Sequence, residues 1–245
     1  MAEDKKHRND IYGDLENNNQ EAPAIPAATV VLLRDTADAG VEVLMLQKNQ
    51  KISFGGMWVF PGGRIDAEDY TEDGELQTAA LNAAVRETEE ESGLQVESDG
   101  FVWFAHWTPP PGTPKRFATW FFAAAAQSAG AVSVDGQEIL NHRWVKPAEA
   151  LDHHSMGQID LAPPTWITLY QLTRYGTTDA ILSYFNDNPE KIYETRVAKD
   201  KDGERVAMWS GDAGYADWDA DISGGRHRLV LAQGGFRFEN TVENY

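Results

Sequence analysis

The order of elements predicts a layered α/β (α+β) fold that closes with a β-rich extension. Strand-length apolar runs fill the segment from 26 to 60. One long helical pattern, Leu76 to Ser92, parts them from a second set of strands and a helical stretch. The last sixty or so residues return to strand signals, with no internal repeat and no regular βαβ alternation. With 245 residues, 42% hydrophobic and 11% aromatic, the chain can build one large domain with an extension.

Residues 1–24 are polar and charged with no apolar periodicity, which predicts a mobile tail and no secretory signal. PAATVVLLRD (26–35) reads as a buried strand, and VEVLMLQK (41–48) alternates like its partner across a DTADAG turn. ISFGGMWVFPGGRID (52–66) sets a short strand, Met57 to Phe60, among four glycines and a proline. AEDYTEDGE (67–75) is an acidic loop, and Gly93 is placed to cap the helix that follows it. Strands are expected over 94–107, 116–127 and 141–146, the first two around TPPPGTPK. PAEALDHH (147–154) begins a helix with proline in its first turn. Residues 163–187 form a longer helical stretch interrupted near Gly176. IYETRVA–KDKDG–ERVAMW and HRLVLA–QGG–FRFEN read as two hairpins. The expected organisation is therefore a tail (1–24), a main domain with its helices (25–187) and a β-rich extension (188–245).

Charge narrows the partners. The net charge of −18 repels nucleic acid and anionic membrane, so neither is expected. No cysteine is present, which excludes disulfides and thiolate catalysis and fits a cytoplasmic setting. No apolar run approaches the ~20 residues of a membrane helix.

RETEEESG (86–93) carries four glutamates in five positions. At 100° per residue, Glu87, Glu90 and Glu91 share a face while Glu89 points nearly opposite. Like charges at this spacing repel, so the face is either solvated or completed by a hard cation such as Mg²⁺ or Mn²⁺. Context favours the cation: Arg86 adjoins the cluster, FPGGR precedes it and Gly93 ends the helix.

In these residues the sequence resembles the Nudix hydrolases, whose signature is G-x5-E-x7-R-E-U-x-E-E-x-G-U, with U bulky and aliphatic. Arg86, Glu87, Glu90, Glu91, Gly93 and Leu94 match its second half, and Gly63 matches its leading glycine. Gly63 lies 23 positions before Arg86 where the signature has 14, so the intervening loop is nine residues longer. Thr88 replaces the first aliphatic, and Thr78 stands at the first glutamate by helix register, with Asp66, Glu68 and Asp69 as loop substitutes. The resemblance covers residues 26 to 155. It implies an α/β/α sandwich with a mixed sheet, and hydrolysis of a nucleoside diphosphate linked to another moiety.

The same resemblance implies that Glu87, Glu90 and Glu91 hold Mg²⁺ or Mn²⁺, with backbone at Gly63 joining the site. It implies that Arg86 orients a box carboxylate, and that the general base is either a box glutamate, Glu87 or Glu90, or a later-loop acid, for which Glu138 is the candidate. Asp135 is the weaker alternative. For substrate, Arg64, Lys115 and Arg116 are candidate phosphate or carboxylate partners, each with a plain surface role as the competing reading. Trp58, beside the glycine turn, is the aromatic expected to stack on a base. An upstream motif of the coenzyme A diphosphatase branch, L-L-T-x-R-[SA]-x3-R-x3-G-x3-F-P-G-G, is met at Gly56 and Phe60 to Gly63. Gln47 and Ile52 occupy its arginine positions, with Lys48 and Lys51 one residue away. Coenzyme A, ADP-ribose and related nucleotides all stay open as substrates. The alternatives to an enzyme are a Nudix-fold nucleotide sensor or an interaction protein. The resemblance implies a homodimer as one assembly state, and SGDAGYADWDADISGG (210–225) is read as a lid, a dimer contact or a second acidic site.

Overall fold

The computed structural model describes residues 23–245 except 39, 52, 114, 127–129 and 233, so most of the expected tail lies outside the described residues. Strands β1 (Ile25–Thr36), β2 (Gly40–Lys48), β3 (Trp58–Val59) and β4 (Gly62–Arg64) precede helix α1 (Leu76–Ser92). Strands β5 (Val102–Thr108), β6 (Phe117–Ala125) and β7 (Ile139–Val145) lead to α2 (Pro147–Ser155), α3 (Pro163–Leu172) and α4 (Thr178–Asp187). Strands β8 (Lys191–Glu194), β9 (Arg196–Lys199), β10 (Arg205–Met208), β11 (His227–Ala232) and β12 (Gly235–Asn240) complete the chain.

The α+β layering expected from sequence is present. An eight-stranded mixed sheet runs β3-β2-β1-β6-β5-β8, with β4 on β1 and β7 on β2. β1 and β6 pair in parallel, as do β5 and β8. A second, antiparallel sheet runs β12-β11-β10-β9. Strand alternation sends β1 residues to two cores. Ala28, Val30 and Leu32 pack against α1, whose Ala79, Ala80, Ala83 and Ala84 form a small-residue stripe that lets helix and sheet approach closely. Val31 and Leu33 face the opposite core, shared with α3, α4 and the last strands. Among the described residues no helix is long and apolar enough to cross a membrane.

Two expectations change. The strand expected from Leu94 starts only at Val102, after a 3-10 turn at Ser98–Gly100. The segment IYE, read as part of a hairpin, is β8 and joins the main sheet instead. Tyr193 of β8 stacks on Trp107 of β5 at 3.6 Å and 4°, and Trp209 closes edge-on at 5.4 Å. The boundary at 187/188 therefore marks a change of secondary structure across one continuous core.

Candidate active site

The site begins where β4 pairs with β1, Ala28 opposite Gly63 and Thr29 opposite Gly62. Gly62 has φ +156°, and a Cβ there would strike the Ala28 carbonyl and Thr29. A Cβ on Gly63 would land on the Glu87 carboxylate. These glycines let the last turns of α1 lie against the strand. Gly93 then stops the helix at φ 69°, its N–H donating to Glu89 O.

The four glutamates differ sharply in setting. Glu91 is buried, Glu87 is mostly enclosed with 16% of its side chain exposed, and Glu90 is 60% exposed. Glu89 faces solvent as the helical geometry requires. Thr88 is fully buried and bonds Ala84 O at 2.7 Å, so its apolar methyl and satisfied hydroxyl replace the aliphatic side chain.

Arg86 holds this turn together. Its Nε and Nη2 donate to Asp69 Oδ1 and Oδ2, Nη1 donates to Glu87 and Glu90, and Nη2 also reaches Arg64 O. Asp69 lies six residues after Gly63, the spacing of the signature's first acid, and the extra loop falls after it. Thr78 lies within α1 and is not the substitute. The pair with Asp69 leads the causes that raise the Arg86 pKa. Burial pushes the Asp69 carboxyl up, but Arg86 and the Asp66 N–H outweigh it and hold it below the usual range.

Lys48 supplies a second cation. Its Nζ donates to Glu91 Oε1 at 3.0 Å and to Glu138 Oε1 at 3.1 Å, while Gly62 N–H donates to Glu91 Oε2 at 2.9 Å. Burial disfavours the ammonium, yet the two carboxylates raise the Lys48 pKa overall. Burial pushes Glu91 up to about 7 despite these partners, and it also raises Glu87. Asp135 accepts from the N–H groups of Gln137, Glu138 and Ile139 and so caps the loop that carries Glu138.

A cleft of about 690 Å³ opens beside these groups. Lys48, Gly63, Arg64, Arg86, Glu87, Glu90, Lys115 and Glu138 line it, whereas Glu91 stands behind the wall. Trp58 and Arg116 do not line it. Trp58 pairs with Gln47, donates its backbone N–H to Asp160 O and has Arg143 5.6 Å over its ring. Arg116 turns to Pro109 O, tying the preceding loop to β6. Of the aromatic residues that line the cleft, Phe60, Trp107 and Phe121 are buried, while Phe54 and Phe117 are more exposed and stand 6.1 Å apart. Sequence reasoning passed over Phe54, since an aromatic in a glycine-rich loop carries no periodic signal.

No three His, Asp or Glu side chains among the described residues stand gathered as a metal cluster, and Arg86 and Lys48 pair with the box acids Glu87 and Glu91. The donor set nonetheless fits a hard divalent ion: Glu87 and Glu90 offer carboxylate oxygens, and the strand at Gly63 has no side chain to fill the space.

A family model described as the NUDIX domain matches residues 23–164. "Putative nudix hydrolase 7" of Caenorhabditis elegans is 26% identical over 184 residues, 60% of this chain and 59% of that protein. "Acyl-coenzyme A diphosphatase NUDT19" of Xenopus laevis is 27% identical over 139 residues, 52% of this chain and 36% of that protein. The chain thus spans about a third to three fifths of the length of these curated relatives. The crystal structure of a NUDIX hydrolase from Alicyclobacillus acidocaldarius aligns with a TM-score of 0.61 at 22% identity, over 69% of this chain and 99% of that one, a likeness of fold.

Proposed function

The chain belongs to the NUDIX family, and on that premise we propose that it hydrolyses the phosphoanhydride bond of a nucleoside diphosphate linked to another moiety. The observation that carries this reading is the single cleft lined by Glu87, Glu90, Glu138, Arg86 and Lys48. Glu87 and Glu90, with backbone at Gly63, are assigned to Mg²⁺ or Mn²⁺. Such an ion polarises phosphoryl oxygens and acidifies water bound to it. Glu91 is assigned a supporting role, because both its oxygens are already held inside the wall.

Glu138 is the proposed general base. Lys48 fixes its Oε1, while Oε2 has no hydrogen-bond partner among the described residues and is the oxygen assigned to take a proton from water. The water oxygen then bonds to one phosphorus, the bridging P–O bond breaks, and two phosphate monoesters leave. Arg86 positions Glu87 and Glu90. The base-stacking role expected of Trp58 passes to Phe54 and Phe117. Lys115, exposed and without an ion-pair partner among the described residues, is assigned to an anionic group of the substrate.

The deciding experiment is a substrate panel with Mg²⁺ or Mn²⁺: ADP-ribose, NADH, coenzyme A and its acyl esters, and dinucleoside polyphosphates. Release of two phosphate monoesters from at least one member is expected. Binding without turnover across the panel supports a nucleotide sensor instead.

A further inference from the structure

Gln171, in the last turn of α3, is 4% exposed, yet its carboxamide makes no hydrogen bond among the described residues. The unpaired side-chain atoms sealed from solvent among those residues are Trp107 Nε1 and Thr178 Oγ1, so the Gln171 amide is open to its surroundings. What it meets is a cavity of about 200 Å³. A carboxamide carries two donors and two acceptor lone pairs. Leaving them all unmatched on so buried a residue is costly, and native chains seldom keep such a group without a use.

The cavity is separate from the cleft, and the two share no lining residue. Gln171 of α3, Phe185 and Asn188 at the end of α4, Phe104 of β5, Lys191 of β8 and Glu243 surround it. Phe104 and Phe185 stack at 4.2 Å and 9° and give it an apolar wall. Asn188 Nδ2 donates to Tyr184 O at 2.8 Å, which leaves Asn188 Oδ1 as an acceptor. Lys191 Nζ donates to Glu243 Oε2 at 2.9 Å.

These groups limit the occupant. Lys191 and Glu243 are the charged side chains of the lining, and each already neutralises the other. An ion would have to break that pair or enter without a counter-charge, so a neutral molecule is favoured. The volume is below the ~300–1,000 Å³ of cavities that take drug-sized ligands. It suits one planar ring and excludes a whole nucleotide. The group that satisfies a carboxamide in a single contact is another amide edge. Its N–H meets Oε1 while its C=O meets Nε2, two hydrogen bonds in one plane, much as Asn or Gln engages the edge of adenine.

We propose that this cavity is a second ligand site, for a small uncharged molecule with an amide edge, an N–H beside a C=O. A primary carboxamide and a cyclic amide of the nucleobase kind share that chemistry. The site stands apart from the hydrolase reading, since no residue of it belongs to the cleft.

The test titrates full-length protein carrying ¹⁵N-labelled glutamine side chains with nicotinamide, a primary amide, and with uracil, a cyclic one. Methyl nicotinate, which keeps the ring and the carbonyl but has no N–H, is the control. The Gln171 NH₂ signals, assigned by their loss in Gln171→Met, should shift saturably with one or both amides and not with the ester. The amide that moves them identifies the source. Gln171→Met keeps the length of the side chain without its hydrogen bonds, so it should weaken binding at least tenfold by calorimetry. Its melting temperature should equal or exceed the parent's, since the deleted amide had no partner. A clear drop in both Gln171→Met and Gln171→Leu makes the amide a structural group and overturns the site. Phe54→Ala, altered only at the cleft, should leave the Gln171 shift unchanged, and loss of the shift there moves the binding to the cleft and overturns the site. A Gln171 signal that moves with neither amide, or equally with the ester, leaves the cavity to water and overturns it too.

Discussion

Arg86 grips Asp69 with two parallel hydrogen bonds, Nε to Oδ1 at 3.0 Å and Nη2 to Oδ2 at 2.9 Å, across a loop that begins just after the acid. The pair locks the start of that loop to the last turns of α1. Asp69→Asn removes the charge and half the fork. It should cost about 2 kcal/mol, below the ~3–5 kcal/mol of a fully buried pair, because Arg86 keeps other partners and touches solvent. The folded pKa of Asp69 is depressed, so its stabilisation exists above the ordinary carboxylate pKa of about 4 and is lost as pH falls through the folded value. Thermal unfolding of both proteins between pH 3 and 7 checks this; curves that differ more at pH 3 than at pH 7 contradict it.

Glu91 works in the opposite sense. Its folded pKa, about 7, lies above the usual 4.5, so the folded state binds the extra proton between those values. Metal-free protein should lose stability as pH rises from 4.5 to 7, and Glu91→Gln should flatten that slope. Urea midpoints at pH 5 and 7 decide; identical slopes in the two proteins place Glu91 in a better solvated setting than its burial indicates.

Lys48 joins Glu91 of α1 to Glu138 of the loop before β7. Lys48→Gln should destabilise the metal-free protein by about 2–3 kcal/mol, leaving a buried carboxylate with one neutral donor. Mn²⁺ should then raise the melting temperature more in the variant than in the parent. An equal metal-induced rise in both proteins removes Lys48 as a neutraliser of the site.

Adjacent glycines should fail in different ways. Gly62→Ala drives a methyl into the backbone of β1 and should cost several kcal/mol or prevent folding. Gly63→Ala meets the carboxylate end of the Glu87 side chain rather than backbone, so it should fold with a modest drop in melting temperature while turnover falls at least tenfold. Normal turnover in Gly63→Ala detaches Glu87 from the reaction.

Phe54→Ala should raise KM about fivefold or more with kcat kept, the loss of one ring from under a base. Trp58→Phe should leave both constants within twofold. A reversal of these outcomes returns the stacking role to Trp58.

Local signals made α1 legible: residues 76–92 and the Gly93 stop follow from helix formers and one left-handed residue. The glutamate turn was legible for the same reason, because residues one turn apart must share a face. Asp69 was legible only by counting forward from Gly63, since counting back from Arg86 crosses the insertion and lands on Thr78. The partner of β8 was not legible, because it lies in β5, some 85 residues earlier, and pairing over that separation leaves no periodic trace. Trp58 misled because a two-residue strand has too little pattern to say which ring meets the cleft.

The seat of β8 beside β5 also has a consequence for how the molecule is made. A nascent chain that has emerged only as far as α4 presents β5 as a raw edge, with the Trp107 ring uncovered by Tyr193 and the Thr195 wall not yet delivered. Such an edge invites pairing with a neighbouring nascent chain. The glutamate turn, synthesised a hundred residues earlier, therefore waits until β8 and Thr195 have emerged before it has a complete chamber.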